Sequence, residues 1–231
     1  MIERTKTFIA SAFPGSVRIY RRIRGVRQGL NTGTRSIENI FSDIYLNNSW
    51  ADPESVSGRG STLARTEAIR CTLPIWLESV GAKSLLDAAC GDFNWMQQVD
   101  LSGLEYIGAD VVPELIARNS RTHAGKGRSF IVMDVTCDEM PRVDAILCRD
   151  CFIHLSFKQI HAAIANFKRS NSTFLLATTH TTVRENTDTQ TGGWRSVNLH
   201  LPPFNFPEPL QLITEDPEMG KCLGMWSLEK L

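Results

Sequence analysis

The chain has 231 residues, 42% of them hydrophobic and 22% charged, with 25 basic and 25 acidic side chains and hence no formal net charge. That length suits one ordinary domain with an extension, and the composition is that of a globular protein with a buried core, not a fibrous or disordered one. Zero net charge gives no global pull towards nucleic acid, no stretch approaches the roughly 20 apolar residues of a membrane span, and six scattered cysteines read as reduced, cytoplasmic usage.

The charges are nevertheless uneven. Arg4, Lys6, Arg18, Arg21, Arg22, Arg24, Arg27 and Arg35 face only Glu3 in the first 35 residues. Ile19, Ile23, Val26 and Leu30 recur there at helical spacing, so residues 1–40 are expected to form a basic helical extension. Such a helix suits either packing on its own domain or peripheral contact with an anionic membrane or acidic partner. The main domain is expected to span 41–231. Within it, "ESVSGRGST" (54–62) reads as a loop, and Ser57, Gly58, Gly60 and Ser61 fit a plain connector or an active-site lid equally well. A helix is expected from Ser61, with Ile69, Leu73, Trp76 and Val80 on one stripe and a kink at Pro74.

Strands and helices then alternate. "KSLLDA" reads as a first strand, 93–99 as a short helix with Phe93 and Trp95 either in its core face or touching the ligand, "EYIGAD" as a second strand and "PELIARNS" as a helix opened by Pro113. "SFIVMDV" and "VDAILCRD" are the third and fourth strands. Ser156 and Gln159 form a capping box for a helix with Ile160, Ala163, Ile164 and Phe167 on one face. "STFLLATT" is the fifth strand, and strands near 209–214 and 221–229 close the sheet. This alternation predicts an α/β, doubly wound, mainly parallel sheet that binds its ligand at the carboxyl ends of the strands. No helix is predicted between the fifth and sixth strands. The polar, Pro-rich stretch 180–208 reads instead as a long functional loop, in which Trp194, Arg195 and Asn198 either line an acceptor site or anchor the loop.

The turn after the first strand, Asp87-Ala88-Ala89-Cys90-Gly91-Asp92, selects the ligand by charge. A dinucleotide pyrophosphate wants a glycine-rich turn of backbone N–H groups, and two carboxylates would repel it. A ligand with a cationic amino group and a sulfonium, and no phosphate, suits such a turn. Asp110-Val111 end the second strand 19 residues after Gly91, where an acid can accept both hydroxyls of a ribose. Asp134-Val135 end the third, placed for an adenine amino group. Asp92 serves equally as a helix cap or as part of the ligand site. Cys148-Arg-Asp-Cys151 has zinc-like spacing but no second pair to complete four ligands.

Together "LLDAACG", "YIGAD" and "FIVMDV" resemble the successive cofactor motifs of class I S-adenosylmethionine-dependent methyltransferases, over roughly 61–231. Ala89 and Phe93 stand where that family often has glycine. The stretches "CRDCFIHLS" and "WRSVNL…PPFNFPEP" are similar to a group of small bacterial members of unassigned substrate. The resemblance implies a Rossmann-like seven-stranded sheet with an antiparallel last strand. It also implies S-adenosylmethionine as cofactor, and Arg149, Asp150 and His154 at the edge where the methyl is transferred. His154 is the candidate base, with Asp150 orienting it or replacing it and Arg149 holding the cofactor, the acceptor or Asp150. "CRDC" replaces the family's amino-directed "DPPY" signature, which favours an oxygen of a small-molecule or glycan-like acceptor. The rival expectations are an NAD(P)-type oxidoreductase on a similar sheet and a non-catalytic binding protein of the same fold.

Overall fold

Five short apolar runs form parallel strands of one sheet in the computed structural model, which describes residues 35–231. They are β1 Ser84–Ala88, β2 Glu105–Asp110, β3 Arg128–Val132, β4 Ala145–Cys148 and β5 Phe174–His180. With β6 Gln211–Asp216 and β7 Lys221–Ser227 they make a seven-stranded sheet in the order β3-β2-β1-β4-β5-β7-β6. β7 runs antiparallel to both of its neighbours, so the last strand alone opposes the rest. The Rossmann-like, mostly parallel architecture read from the sequence is therefore the one observed.

Burial on both faces explains the near-continuous apolar strands. Along β1, Leu85 joins a cluster with Ile69, Leu73, Trp76 and Leu77 of helix α2 (Glu67–Ser79), while Leu86 faces Ile160, Ala163 and Phe167 of helix α4 (Phe157–Arg169). Helix α3 (Pro113–His123) begins with Pro113, whose fixed φ suits a first turn. The capping box at Ser156 and Gln159 is present. Residues 181–210 contain no helix, as the sequence indicates.

Three elements differ from expectation. Helix α1, Ile37–Leu46, was not anticipated, and a domain boundary after residue 40 falls inside it; the compact unit runs from Ile37 to Leu231. Its stripe of Ile37, Phe41 and Tyr45 is legible only against the partners it covers, Val111, Val112 and Leu115. Helix α2 starts at Glu67 and not at Ser61, because residues 59–61 are drawn into a short 3₁₀ turn. The predicted helix 93–99 shrinks to the turn Met96–Gln98, since Phe93 has φ +61°, which no right-handed helix admits. The basic stripe of Ile19 to Leu30 lies outside the described residues. Among those described, no helix is long and apolar enough to cross a membrane.

Asn166 ties this framework to the sheet edge. It is buried on α4, and its amide donates to the carbonyls of Val135 (2.9 Å) and Asp138 (2.8 Å), pinning the chain that follows β3. Asn166→Ala orphans both carbonyls and is expected to cost about 2–4 kcal/mol, read as a lower urea midpoint with an unchanged m-value.

Candidate active site

The carboxyl ends of the strands open into a cleft of about 440 Å³, lined by Asp87, Gly91, Asp110, Asp134, Val135, Arg149, Asp150 and His154 among others. Asp87, the penultimate residue of β1, is buried, and its one hydrogen-bond donor among the described residues is the Tyr106 hydroxyl at 2.8 Å. Burial pushes its carboxyl up to about 7; Tyr106 opposes this, Asp110 adds to it and Arg149 opposes it. Asp110 ends β2, and its two oxygens accept from the N–H groups of Gly91 (3.1 Å) and Val112 (3.0 Å). Burial raises it to about 6 despite those donors. Two acids thus sit side by side, each reluctant to ionise without a cation or further donors.

Gly91 is the pivot of the turn. Its φ is +56°, and a Cβ there would stand 2.2 Å from Ser57 Oγ. Ala89 and Cys90 also line the cleft, whereas Ala88 is fully buried within the strand. Asp134 lines the cleft with its Oδ1 accepting from the Thr136 N–H (3.0 Å) and hydroxyl (2.6 Å). Val111 and Val135 border the same space. Asp92 makes the local bond expected of a cap, accepting from the Asn94 N–H at 3.2 Å, and reaches further. Its carboxylate takes bonds from Ser55 Oγ (3.0 and 2.9 Å), the Val56 N–H (3.0 Å) and Ser57 Oγ (3.2 Å), and its own N–H donates to Ser57 Oγ at 2.9 Å. Asp92 therefore latches the loop 50–61, which covers the cleft with Trp50, Ser57, Gly58, Arg59, Gly60 and Ser61. Asn94 adds two further ties, its amide donating to Glu54 Oε1 at 2.9 Å and to the Ser61 carbonyl at 3.1 Å, so the loop is fastened over the cleft at both Asp92 and Asn94.

His154 lies in the turn after β4. Its Nδ1 is 2.7 Å from the Gly193 carbonyl, which can only accept, so Nδ1 carries the proton and Nε2 keeps its lone pair. The ring stacks on Trp50 of the lid at 4.9 Å between centroids, and burial holds its pKa below the usual histidine value. The long loop fixes this arrangement. Arg195, buried, donates to the carbonyls of Phe152 (2.5 Å) and Leu155 (2.6 Å) on either side of His154, and the Gly192 N–H donates to the His154 carbonyl at 2.9 Å. Asn198 bonds the Val183 carbonyl at 3.0 Å and likewise anchors the loop. Trp194 stands apart from these two, 57% exposed at the cleft wall.

Arg149 and Asp150 belong to a buried charge cluster that sequence reasoning only half anticipated. Arg149 lies under Trp95, 5.6 Å from the ring centroid, and pairs with both Asp150 and Glu215. Burial works to raise the Asp150 carboxyl, but Arg149 and Lys221 outweigh it and hold the group well below the usual carboxylate range. Glu215 and Lys221 come from β6 and β7, and Trp50 from the lid. Acids closing an apolar strand in "LITED" were a sequence signal for Glu215; nothing local marked Lys221 or Trp50.

No protein-family model matches the chain, and no curated protein matches it in sequence. Solved structures do match. The chain is similar to human N-acetylserotonin methyltransferase in complex with S-adenosylmethionine, at 13% identity over 89% of this chain and 64% of that one, with a TM-score of 0.59. It is similar to the N-methyltransferase NodS of Bradyrhizobium japonicum in complex with S-adenosylhomocysteine, at 15% identity over 79% of this chain and 97% of that one, TM-score 0.57. Magnesium protoporphyrin IX methyltransferase of Synechocystis gives 11% identity over 85% and 99%, TM-score 0.56. The chain spans just under two thirds of the human structure's length. The fold is that of the class I S-adenosylmethionine-dependent methyltransferases.

Removing the latch tests the lid. Asp92→Ala is expected to leave the sheet intact and to speed tryptic cleavage after Arg59 at least about fivefold, because local opening of the loop loses its main restraint. Cleavage at the wild-type rate would show that the loop is held by something else.

Proposed function

We propose that the protein transfers a methyl group from S-adenosylmethionine to a hydroxyl of a small-molecule acceptor. The observation that supports this most is the pair of buried, high-pKa carboxylates, Asp87 and Asp110, beside the Gly91 turn. Their chemistry fits the cofactor and disfavours a dinucleotide, whose pyrophosphate would meet two acids and a turn with a single glycine. When bound, S-adenosylmethionine supplies an electrophilic methyl on a sulfonium. Asp87 would hold its cationic amino group, Asp110 its ribose hydroxyls, and Asp134 with Val135 would border its adenine.

His154 is assigned as the base that takes the acceptor's proton, because its tautomer leaves Nε2 free and burial keeps the ring neutral. Asp150 is assigned as a fixed counter-ion, since a carboxyl held that low is a poor base. Arg149, tied to two acids, is assigned to neutralising that cluster and not to gripping the acceptor. Trp50 and the lid would exclude water as the acceptor and the methyl come into line.

Affinity for S-adenosylmethionine should follow the ionisation of the two acids. Their pKa values are raised, so the proton occupies them at low pH and competes with the cation. Calorimetry is expected to show affinity level above about pH 8 and falling below 7 by up to about tenfold per pH unit, more steeply once Asp110 joins near 6. Flat affinity from pH 5 to 8 would sink the assignment of both. Asp110→Ala is expected to weaken binding about 10- to 100-fold through lost charge-assisted hydrogen bonds.

With an acceptor in hand, His154→Ala is expected to leave cofactor affinity unchanged and to lower turnover at least about a hundredfold, with the loss shrinking at high pH. Because burial depresses this histidine, the wild-type turnover should decline only below the ordinary histidine value of about 6.5. Near wild-type turnover in the variant across pH 6–9 would remove His154 from the mechanism.

A further inference from the structure

The half of the cleft over β4, β5, β7 and β6 holds charges that the cofactor assignment leaves unused. Arg149 donates Nε and Nη2 to Glu215 Oε2 at 3.1 and 2.6 Å, and its Nη1 lies 3.1 Å from Asp150 Oδ2. Lys221 Nζ reaches the same two acids, 2.6 Å from Asp150 Oδ2 and 3.4 Å from Glu215 Oε2. Two cations therefore balance two anions, and every contact to Glu215 falls on one oxygen. The other, Oε1, is buried with no hydrogen-bond partner among the described residues, on a side chain that is 1% exposed yet belongs to the cleft lining. Native proteins leave few such atoms, and a bare buried carboxylate oxygen costs more than an ordinary hydrogen bond returns.

We propose that Glu215 Oε1 is an acceptor-recognition site, taking a hydrogen bond from a second hydroxyl of a neutral, polyhydroxylated methyl acceptor whose first hydroxyl meets His154. This rests on the methyl-transfer reading and narrows it to a substrate class. A carboxylate oxygen accepts only, so the ligand must present a donor there. The cluster is already neutral: an ammonium would leave an extra buried positive charge, and a carboxylate or phosphate would face Glu215 and Asp150. A neutral O–H fills the vacancy in the hydrogen bonding without disturbing the balance. The walls agree with that choice. Trp50, stacked on His154, and the exposed Trp194 both line the same cleft, an aromatic wall that suits the C–H groups of a sugar or a polyphenol ring. Gly60 seals the cluster from the lid side, since a Cβ there would lie 2.8 Å from Asp150 Oδ2.

The test is transfer of labelled methyl from S-adenosylmethionine to a matched panel, with S-adenosylhomocysteine affinity measured in parallel by calorimetry. The panel holds neutral polyols (methyl glucoside, inositol), a polyphenol (catechol), the mono-ols cyclohexanol and phenol, and the charged sugars glucuronate and glucosamine. Transfer is expected only to neutral compounds with two or more hydroxyls, and the sugar and catechol arms separate the two sources of that chemistry. Glu215→Gln is expected to raise KM for those acceptors at least about tenfold while S-adenosylhomocysteine affinity stays within about threefold. Because this variant also loosens Arg149, the wild-type preference for polyols over mono-ols is an independent measure. Equal use of mono-ols, use of charged acceptors alone, an unchanged KM in the variant, or no transfer to any compound while S-adenosylhomocysteine binds would each overturn the role of Glu215. Failure to bind S-adenosylhomocysteine at all would instead overturn the methyl-transfer reading beneath it.

Discussion

Burying Asp87 at the end of the central strand sets the terms for everything around the cleft. A carboxylate there loses its hydration and regains only the Tyr106 hydroxyl, so its proton stays on until near neutral pH. Asp110, on the adjacent strand, raises it further, and Arg149 offsets part of the cost from the β4 side. The turn between the two acids must then bring backbone N–H groups within reach, which requires the left-handed Gly91 and leaves no room for a side chain beside Ser57. A glycine, a serine on the lid and two acids are therefore one construction.

The two halves of the cleft differ in how their charge is balanced. Over β1 and β2 the acids are left without a salt-bridged cation and their pKa values rise; over β4, β6 and β7 each acid has a cation within 3.1 Å, and Asp150 is driven low. On physical grounds an unbalanced half suits a charged ligand and a balanced half suits a neutral one. This contrast is the physical basis for assigning cofactor and acceptor to opposite ends.

The irregular segments do the orienting. The loop fastened by Asp92 carries Trp50 to the imidazole, and the loop after β5 holds that imidazole through Gly193 while Arg195 satisfies the carbonyls on both sides of it. Strand β4 brings His154 to the carboxyl edge of the sheet, yet only these loops decide its tautomer and its exposure. Arg195 and Asn198, which the sequence left open between acceptor lining and anchoring, spend their hydrogen bonds on the backbone, and only Trp194 faces the cleft.

Local pattern by itself determined the sheet. Alternating apolar runs and helical stripes set the parallel strands, the capping box at Ser156 and the Pro113 helix start, because each depends on neighbours a few residues away. The strand-end acids Asp87 and Asp110 were legible for the same reason: their positions follow from where each strand stops. Tertiary structure decided the rest. Helix α1 reads as mixed sequence until Val112 and Leu115 give its stripe something to cover. Asp92 looks like a cap until Ser55 and Ser57, 37 and 35 residues away in the chain, close on it. Glu215 and Lys221 join Arg149 and Asp150 from 66 and 71 residues away. Pairings at such separations leave no periodic trace, because the geometry that brings them together belongs to the folded sheet and not to any stretch of chain.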